Sequence, residues 1–226
     1  DGPTPATPGT PVAARRSRWL PWAAALALGL AGVAYGVSRA PAPAAAALPV
    51  ALTIPPPDGL QFAASSMAVS PDGRRIAFAV GSTNANRRLM IRHLDRLEAE
   101  EVPNAETASH PAWSPDGSRL AFVSDNGLKI LTVSDGGMAT IAKVPPGGVR
   151  GLGWDDRGDI LIGQPNGGLL GVCEGGGDFS KGTTLAAGQV GHGWPQFLPG
   201  GNDFLVEVTA SEKPGTYRGS LGSAGL

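Results

Sequence analysis

Few residues of this chain have the types and spacing that chemistry requires. The three histidines, His93, His110 and His192, lie far apart, without cysteines or carboxylates at the spacing of a metal site. Isolated histidines are more often structural than ligands. Cys173 lies in an apolar run, which favours a small buried side chain over a reactive thiol. The sequence therefore predicts no catalytic residue, no metal ligand and no cofactor for this chain.

Acidic and aromatic residues are more numerous, but each has a structural interpretation. Four aspartates, Asp72, Asp116, Asp155 and Asp156, stand in turn sequences, where their side chains bond the backbone. Three tryptophans could stack on a ligand: Trp113, Trp154 and Trp194. Two of them occupy a repeated position where packing is the expected role. The elements that carry these residues therefore have to be found first.

The clearest element is a repeated turn. Ser70-Pro71-Asp72-Gly73 recurs 44 residues later as Ser114-Pro115-Asp116-Gly117, and an apolar run follows each copy. Serine, proline and glycine suit positions i, i+1 and i+3 of a type I turn. Each motif is therefore predicted to connect two strands of a β-hairpin, with a structural rather than a catalytic role.

Two further copies of the turn, in which the sequence has diverged, establish the length of the repeat. The aromatic residue before each turn is Trp113, Trp154 or Phe197, at spacings of 41 and 43 residues. His110 and His192 each stand a few residues before such an aromatic, so we interpret both as structural residues at similar places where a blade begins. Four short strands fit each period, and no segment outside residues 19–37 has a helical pattern. Four strands in each repeat predict an all-β fold, namely an incomplete β-propeller of about three and a half four-stranded blades.

A membrane segment precedes the repeats. Residues 19–37 are uncharged and apolar, a length that suits a single transmembrane helix. Arg15, Arg16 and Arg18 flank its amino-terminal end, which predicts a cytoplasmic linker at 1–18. A Pro/Ala-rich spacer follows at 38–49, and residues 50–226 form the propeller outside the cytoplasm. A cleaved signal peptide is the alternative, although the apolar run is longer than usual for one.

Charge excludes one class of partner. Beyond residue 40 the chain has 14 Lys+Arg against 18 Asp+Glu, a net charge of −4. Nucleic acid is a poor partner for such a surface. The lone Cys173 excludes an internal disulfide, which is ordinary for exported bacterial domains.

The two intact turn motifs resemble those of WD-repeat-like propellers in the periplasmic Tol–Pal system and in prolyl oligopeptidase-type proteins. The basic flank and apolar segment, then Ile54-Pro55-Pro56-Pro57-Asp58-Gly59 and the propeller repeats, are similar in order to the carboxy-terminal half of bacterial membrane-anchored serine/threonine protein kinases. That resemblance implies an inner-membrane protein with one membrane pass and a cytoplasmic kinase domain, which this sequence does not contain.

The resemblance implies a non-catalytic extracytoplasmic sensor or interaction propeller that binds a peptide, protein or small molecule and reports to the kinase. A periplasmic Tol–Pal-type scaffold and the propeller domain of a serine peptidase are the alternatives. The sequence ends within the fourth repeat, so we expect an open arc with exposed edges that is prone to association. Residues 50–54 are expected to form a strand that would close the ring by pairing with the last blade, which is absent from this sequence.

Overall fold

The computed structural model of the chain describes Gly2, Leu28, residues 53–209 and residues 211–222. The chain divides into residues 1–53 and residues 54–226, and the fold below belongs to the second unit. Apart from Gly2 and Leu28, the segments assigned above to a linker (1–18), a transmembrane helix (19–37) and a spacer (38–49) lie outside the described residues. Within the described residues, no helix has the length and hydropathy needed to cross a bilayer.

Residues 62–220 form four antiparallel sheets, each made of strands that follow one another in sequence. This is the arrangement of propeller blades, and it confirms the predicted all-β propeller. Three blades have four strands and the fourth has three. The strands of blades 1 and 2 are β1 (Phe62–Val69), β2 (Arg75–Val80), β3 (Arg88–His93), β4 (Ala99–Glu106), β5 (Ser109–Trp113), β6 (Arg119–Ser124), β7 (Gly127–Thr132) and β8 (Met138–Lys143). Those of blades 3 and 4 are β9 (Leu152–Trp154), β10 (Asp159–Ile162), β11 (Leu170–Cys173), β12 (Ser180–Lys181), β13 (Gly191–Phe197), β14 (Asp203–Thr209) and β15 (Gly215–Ser220).

The repeated motif forms the turn between the first two strands of a blade. In blade 1, the Gly73 amide donates to the Ser70 carbonyl at 2.8 Å, which closes the four-residue turn. The Ser70 hydroxyl lies 2.5 Å from Asp72 Oδ1 and accepts a bond from the Arg75 amide at 2.9 Å. Gly73 has φ +68°, a conformation that glycine adopts without strain. Blade 2 repeats this geometry at residues 114–119.

Adjacent blades pack face to face because alternate residues of a strand point to opposite sides. Between blades 1 and 2, Leu89 and Ile91 pack with Leu120 and Phe122. Two further clusters contain residues of blades 2 and 3 and of blades 3 and 4. Among the described residues no core cluster joins blade 4 to blade 1, so the four blades form an arc.

The expected closing strand at residues 50–54 is not observed where the segment is described. Thr53 and Ile54 are not in a strand, and residues 50–52 lie outside the described residues. Ile54 instead packs in the cluster of Ile76, Phe78 and Val80, on the side of β2 opposite Ala77. The amino-terminal segment therefore covers the outer face of blade 1.

The hairpin between β6 and β7 turns within Asp125-Asn126-Gly127. Gly127 begins β7 and pairs with Ser124 in the ladder. The two central residues are Asp125 and Asn126, with φ +51° and +60°. Both are left-handed, as a type I′ turn requires, and Asp and Asn adopt that region more readily than most residues.

Candidate ligand-binding site

The innermost strands β1, β5, β9 and β13 line a shared cavity of about 730 Å³. This volume lies within the range of small-molecule sites, about 300–1,000 Å³. Each inner strand runs into its blade's turn, and the i+1 residues of all four turns lie at the same end of the cavity. Those residues are Pro71, Pro115, Asp156 and Pro199.

Three inner strands share an unusual backbone position, three residues before the aromatic that precedes the turn. We call it the bulge position, because the ladder registers of β5 and β13 shift there. His110, Gly151 and Trp194 occupy it, with φ +52°, +88° and +46°. Left-handed φ is ordinary for glycine but strained for a bulky side chain. His110 is therefore equivalent to Trp194, and His192 lies two residues before that position.

Trp194 is held by its neighbours yet remains 38% exposed in the cavity. Its amide donates to the Arg150 carbonyl at 2.6 Å. The Arg150 guanidinium carbon lies 5.1 Å from the indole centroid, and Nη1 donates to Thr209 Oγ1 at 3.1 Å. A Cβ on Gly151 would lie 3.0 Å from Trp194 Cδ1, so only glycine leaves room for this ring. The indole therefore has a fixed position with one edge open to the cavity.

The two strand histidines have different surroundings. Burial, with a smaller contribution from the Arg87 charge, lowers the pKa of His110 from 6.5 to about 4. Its buried Nδ1 has no hydrogen-bond partner among the described residues. His192 is fully buried, with Nδ1 2.7 Å from Thr183 Oγ1 and Nε2 3.0 Å from Gln189 Oε1. Burial lowers its pKa as well. His192 is thus a satisfied structural residue, whereas neutral His110 lines the cavity.

The turn acids divide into two groups. Asp72 and Asp116 do not line the cavity, and their carboxylates bond Ser70 and Ser114 within the turns. The Ser114 hydroxyl, followed by the Ser118 amide, lowers the pKa of Asp116 to about 2. The bond to Ser70 likewise lowers the pKa of Asp72. Asp155 and Asp156 do line the cavity. The structure therefore brings only the blade 3 acids to the site.

The three repeated aromatics form the boundaries between blades, at the wall of the cavity. Trp113 Nε1 donates to the Ala68 carbonyl of blade 1 at 3.1 Å, and Arg75 of blade 1 lies 4.8 Å above its ring. Arg119 of blade 2 lies 5.0 Å from the Trp154 ring of blade 3. Phe197 packs edge-on against Phe204 of its own blade at 6.1 Å and against the cluster that contains Leu161 and Leu169 of blade 3. These aromatics support the cavity, while Trp194 and the exposed side chains of Met67 and Val69 contact its interior.

Sequence reasoning missed the bulge position as a site and misjudged one cysteine. Cys173, expected to be buried, is exposed because it ends its strand with its side chain on the solvent side. The only sequence signal for the site is that Trp194 falls outside the repeated aromatic position. Across the described ranges, no group of three or more His, Cys, Asp or Glu side chains could hold a metal ion.

Comparison with known proteins agrees with this fold. No protein-family model matches the chain. TolB from Acinetobacter baumannii superposes with a TM-score of 0.57 at 15% identity, over 70% of this chain and 41% of that one. Regucalcin, a calcium-binding protein from Agrobacterium tumefaciens, gives a TM-score of 0.52 at 15% identity, over 70% of this chain and 60% of that one.

Similarity to a curated protein sequence covers a shorter stretch. Dipeptidyl-peptidase 5 of Porphyromonas gingivalis is 36% identical over 69 residues, which are 28% of this chain and 10% of that protein. The chain thus spans about a tenth of the length of that relative and less than half of the A. baumannii TolB. At these identities the structural similarities establish the fold alone. That fold is a TolB-like β-propeller.

Proposed function

We propose that this chain is a binding propeller that takes an extended peptide, or an exposed segment of a protein, in the cavity between its inner strands. The observation that carries the proposal is Trp194. A bulky residue with φ +46° stores about 1–3 kcal/mol of backbone strain. The ring belongs to none of the core clusters of the described residues, so only its contacts with Arg150 and Gly151 offset that strain. A ligand that covers the exposed part of the indole would offset it further.

The composition of the cavity supports a peptide. Its interior presents apolar side chains, Met67, Val69 and Trp194, beside the backbone of four strands. Apolar contact with an aromatic anchor, together with backbone hydrogen bonds, is how peptide-binding grooves gain affinity and register. Trp residues in well-packed pockets also dominate the energetics of many interfaces. The rigid blades hold these groups in place before binding, which lowers the entropic cost.

Binding rather than catalysis is proposed for this chain. Of the described residues that line the cavity, none is Ser, Thr or Cys, the usual nucleophiles beside a histidine. With a pKa near 4, His110 would be neutral at pH 7 and could donate or accept one hydrogen bond. A ligand group that reaches its unpartnered nitrogen would remove a buried unsatisfied atom.

The position of the propeller in the cell is a further part of the proposal. Residues 19–37 would anchor the chain in a bacterial inner membrane, with residues 1–18 in the cytoplasm and the blades outside. In that arrangement the propeller would report ligand binding to a serine/threonine kinase domain. Reporter fusions after residue 18 and after residue 222 test the orientation: alkaline phosphatase should be active only at the second site. Activity at the first site would contradict it.

Two other contexts use the same cavity. The TolB-like fold supports a periplasmic scaffold of Tol–Pal type, without a kinase. The stretch shared with dipeptidyl-peptidase 5 favours a propeller that belongs to a serine peptidase. The coding sequence on either side of this chain separates the three contexts. Kinase motifs upstream would support the kinase sensor, and a start codon just before Arg15 would support the periplasmic scaffold. A Gly-x-Ser-x-Gly motif downstream would support the serine peptidase.

Binding itself can be tested with a synthetic array of blocked hexapeptides. The 226-residue chain and its Trp194→Gly variant are applied in parallel, because glycine adopts the left-handed φ without strain. We expect a subset of peptides to retain the parent chain and not the variant. Equal retention of both proteins by every peptide would overturn the proposed site.

A further inference from the structure

The turn of blade 3 departs from the other three at a position that faces the cavity. Blades 1, 2 and 4 have proline at i+1, namely Pro71, Pro115 and Pro199, whereas blade 3 has Asp156. Proline fixes φ near the value that i+1 requires, and a compatible proline stabilises the folded state by restricting the unfolded chain. Aspartate gives up this preorganisation, so the turn itself does not account for Asp156.

The neighbouring acid explains how the turn forms without serine. Asp155 stands where the intact motifs have serine, and it is almost fully buried. Its carboxylate accepts bonds from the Arg157 amide at 2.9 Å, the Asp159 amide at 2.7 Å and Arg157 Nε at 3.0 Å. The Arg157 guanidinium also donates to the Gly201 carbonyl at 2.6 Å. Asp155 is therefore neutralised, and Arg157 is committed to other groups.

Asp156 is left with its charge uncompensated. It is exposed, and it has no hydrogen bond or ion pair with any described residue. Its carboxylate lies against blade 4, where a Cβ on Gly201 would overlap it. Among the described residues that line the cavity there is no Lys or Arg. At the end of the cavity lined by the four turns, the i+1 positions thus present three prolines and the unpaired carboxylate of Asp156.

We infer that the cavity selects a positively charged peptide segment, in which a Lys or Arg side chain pairs with Asp156 while an apolar side chain packs on Trp194. This inference rests on the proposed function and specifies its ligand. The bulge position lies five residues before the i+1 position along a strand, which corresponds to roughly 16 Å. An extended peptide of about five or six residues spans that distance. The net charge of −4 beyond residue 40 would attract the same ligand.

The test is the hexapeptide array, built so that each apolar frame is present with Lys, Gln or Glu at a single variable position. The 226-residue chain is compared with Asp156→Asn, which removes the charge, and with Asp156→Pro, which restores the residue of the other blades. Glu98→Gln removes the same charge from an exposed turn outside the cavity and serves as the control.

For peptides that bind, we expect Lys to be preferred over Gln by about 2- to 5-fold, the range for an exposed ion pair. Glu should be disfavoured. Both Asp156 variants should lose the preference for Lys over Gln but bind the Gln peptides as tightly as the parent chain does. Glu98→Gln should retain the preference for Lys. The preference should also shrink as salt rises. Binding without charge preference would overturn this inference and leave the proposed function intact. If the parent chain binds no peptide more tightly than Trp194→Gly does, both this inference and the proposed function are overturned.

Discussion

A Cβ atom on Gly151 would lie 2.8 Å from the Cα of Trp194, closer than side-chain carbons approach in proteins. The two residues occupy the same bulge position in neighbouring blades, and both are left-handed. In blade 3 the absence of a side chain creates the space that the indole of blade 4 fills. The site therefore depends on a pair of blades and not on either blade alone.

Substitution of Gly151 by Ala should disturb both the backbone and this contact. Alanine at φ +88° costs about 1 kcal/mol, and the clash with Trp194 adds about 1–3 kcal/mol. We expect urea unfolding to show a loss of about 2–4 kcal/mol, with altered tryptophan fluorescence. Gly136→Ala is the matched control, because Gly136 is also left-handed but has open space around it. Equal losses for the two variants would show that the contact with Trp194 contributes nothing.

The stacking of Arg119 on Trp154 should stabilise the boundary between blades 2 and 3. Arg119 also donates to Glu174 of blade 3 at 2.8 Å, and both side chains are about one-third exposed. Arg119→Ala should reduce the free energy of unfolding by about 1–2 kcal/mol. Arg96→Ala removes an exposed pair with Glu100 inside one blade and should change it by less than about 0.5 kcal/mol. A loss for Arg119→Ala no greater than that of the control would rule out a stacking contribution.

The Ser114 hydroxyl should hold Asp116 ionised in acid. Because the pKa of Asp116 is lowered to about 2, its contribution to stability is complete above about pH 4 and is lost as pH falls towards 2. Ser114→Ala should raise the pKa of Asp116, measured by NMR titration, and reduce stability by about 1 kcal/mol at pH 7. The deficit should be smaller at pH 2, where about half of the Asp116 carboxyl is protonated in the parent chain. Ser118→Ala, which removes a weaker contribution, should raise the pKa less. An unchanged titration in Ser114→Ala would contradict this assignment.

His110 should make the protein less stable in mild acid. Its folded pKa, about 4, lies below the ordinary 6.5, so the unfolded chain takes up the proton first. Its stability contribution is complete above pH 6.5 and declines as pH falls from 6.5 to 4. His192 acts in the same direction. His110→Asn suits the left-handed backbone without titrating. Between pH 7 and pH 5, the variant should lose less unfolding free energy than the parent chain; equal losses would assign the effect to other groups.

Local chemistry made much of the fold predictable. Ser70 and Ser114 with their prolines and glycines specify the turns, and the apolar runs after them specify β2 and β6. The period then follows from Trp113, Trp154 and Phe197. The partner strand sets the position of the β6–β7 turn within Asp125-Asn126-Gly127, because Gly127 pairs with Ser124 and leaves Asp125 and Asn126 as the central residues.

The site was less predictable because it depends on relationships between blades. A sequence pattern does not reveal φ, so the strain at His110 and Trp194 had no signal in the residues themselves. The space above Gly151 exists only once blades 3 and 4 are packed. Asp156 was visible as a turn acid, but only the fold shows that it faces a cavity whose described lining residues include no Lys or Arg.

The central claim, that Trp194 serves a ligand and not the core, is tested most directly by one pair of measurements on Trp194→Gly: the free energy of unfolding and the affinity for peptides retained by the array. Glycine relieves the backbone strain at φ +46° but loses the stacking on Arg150, so unfolding should change by less than about 1 kcal/mol. Affinity should fall at least tenfold, as for an interface anchor. A variant that unfolds readily, or one that binds the peptides as well as the parent chain, would contradict the account.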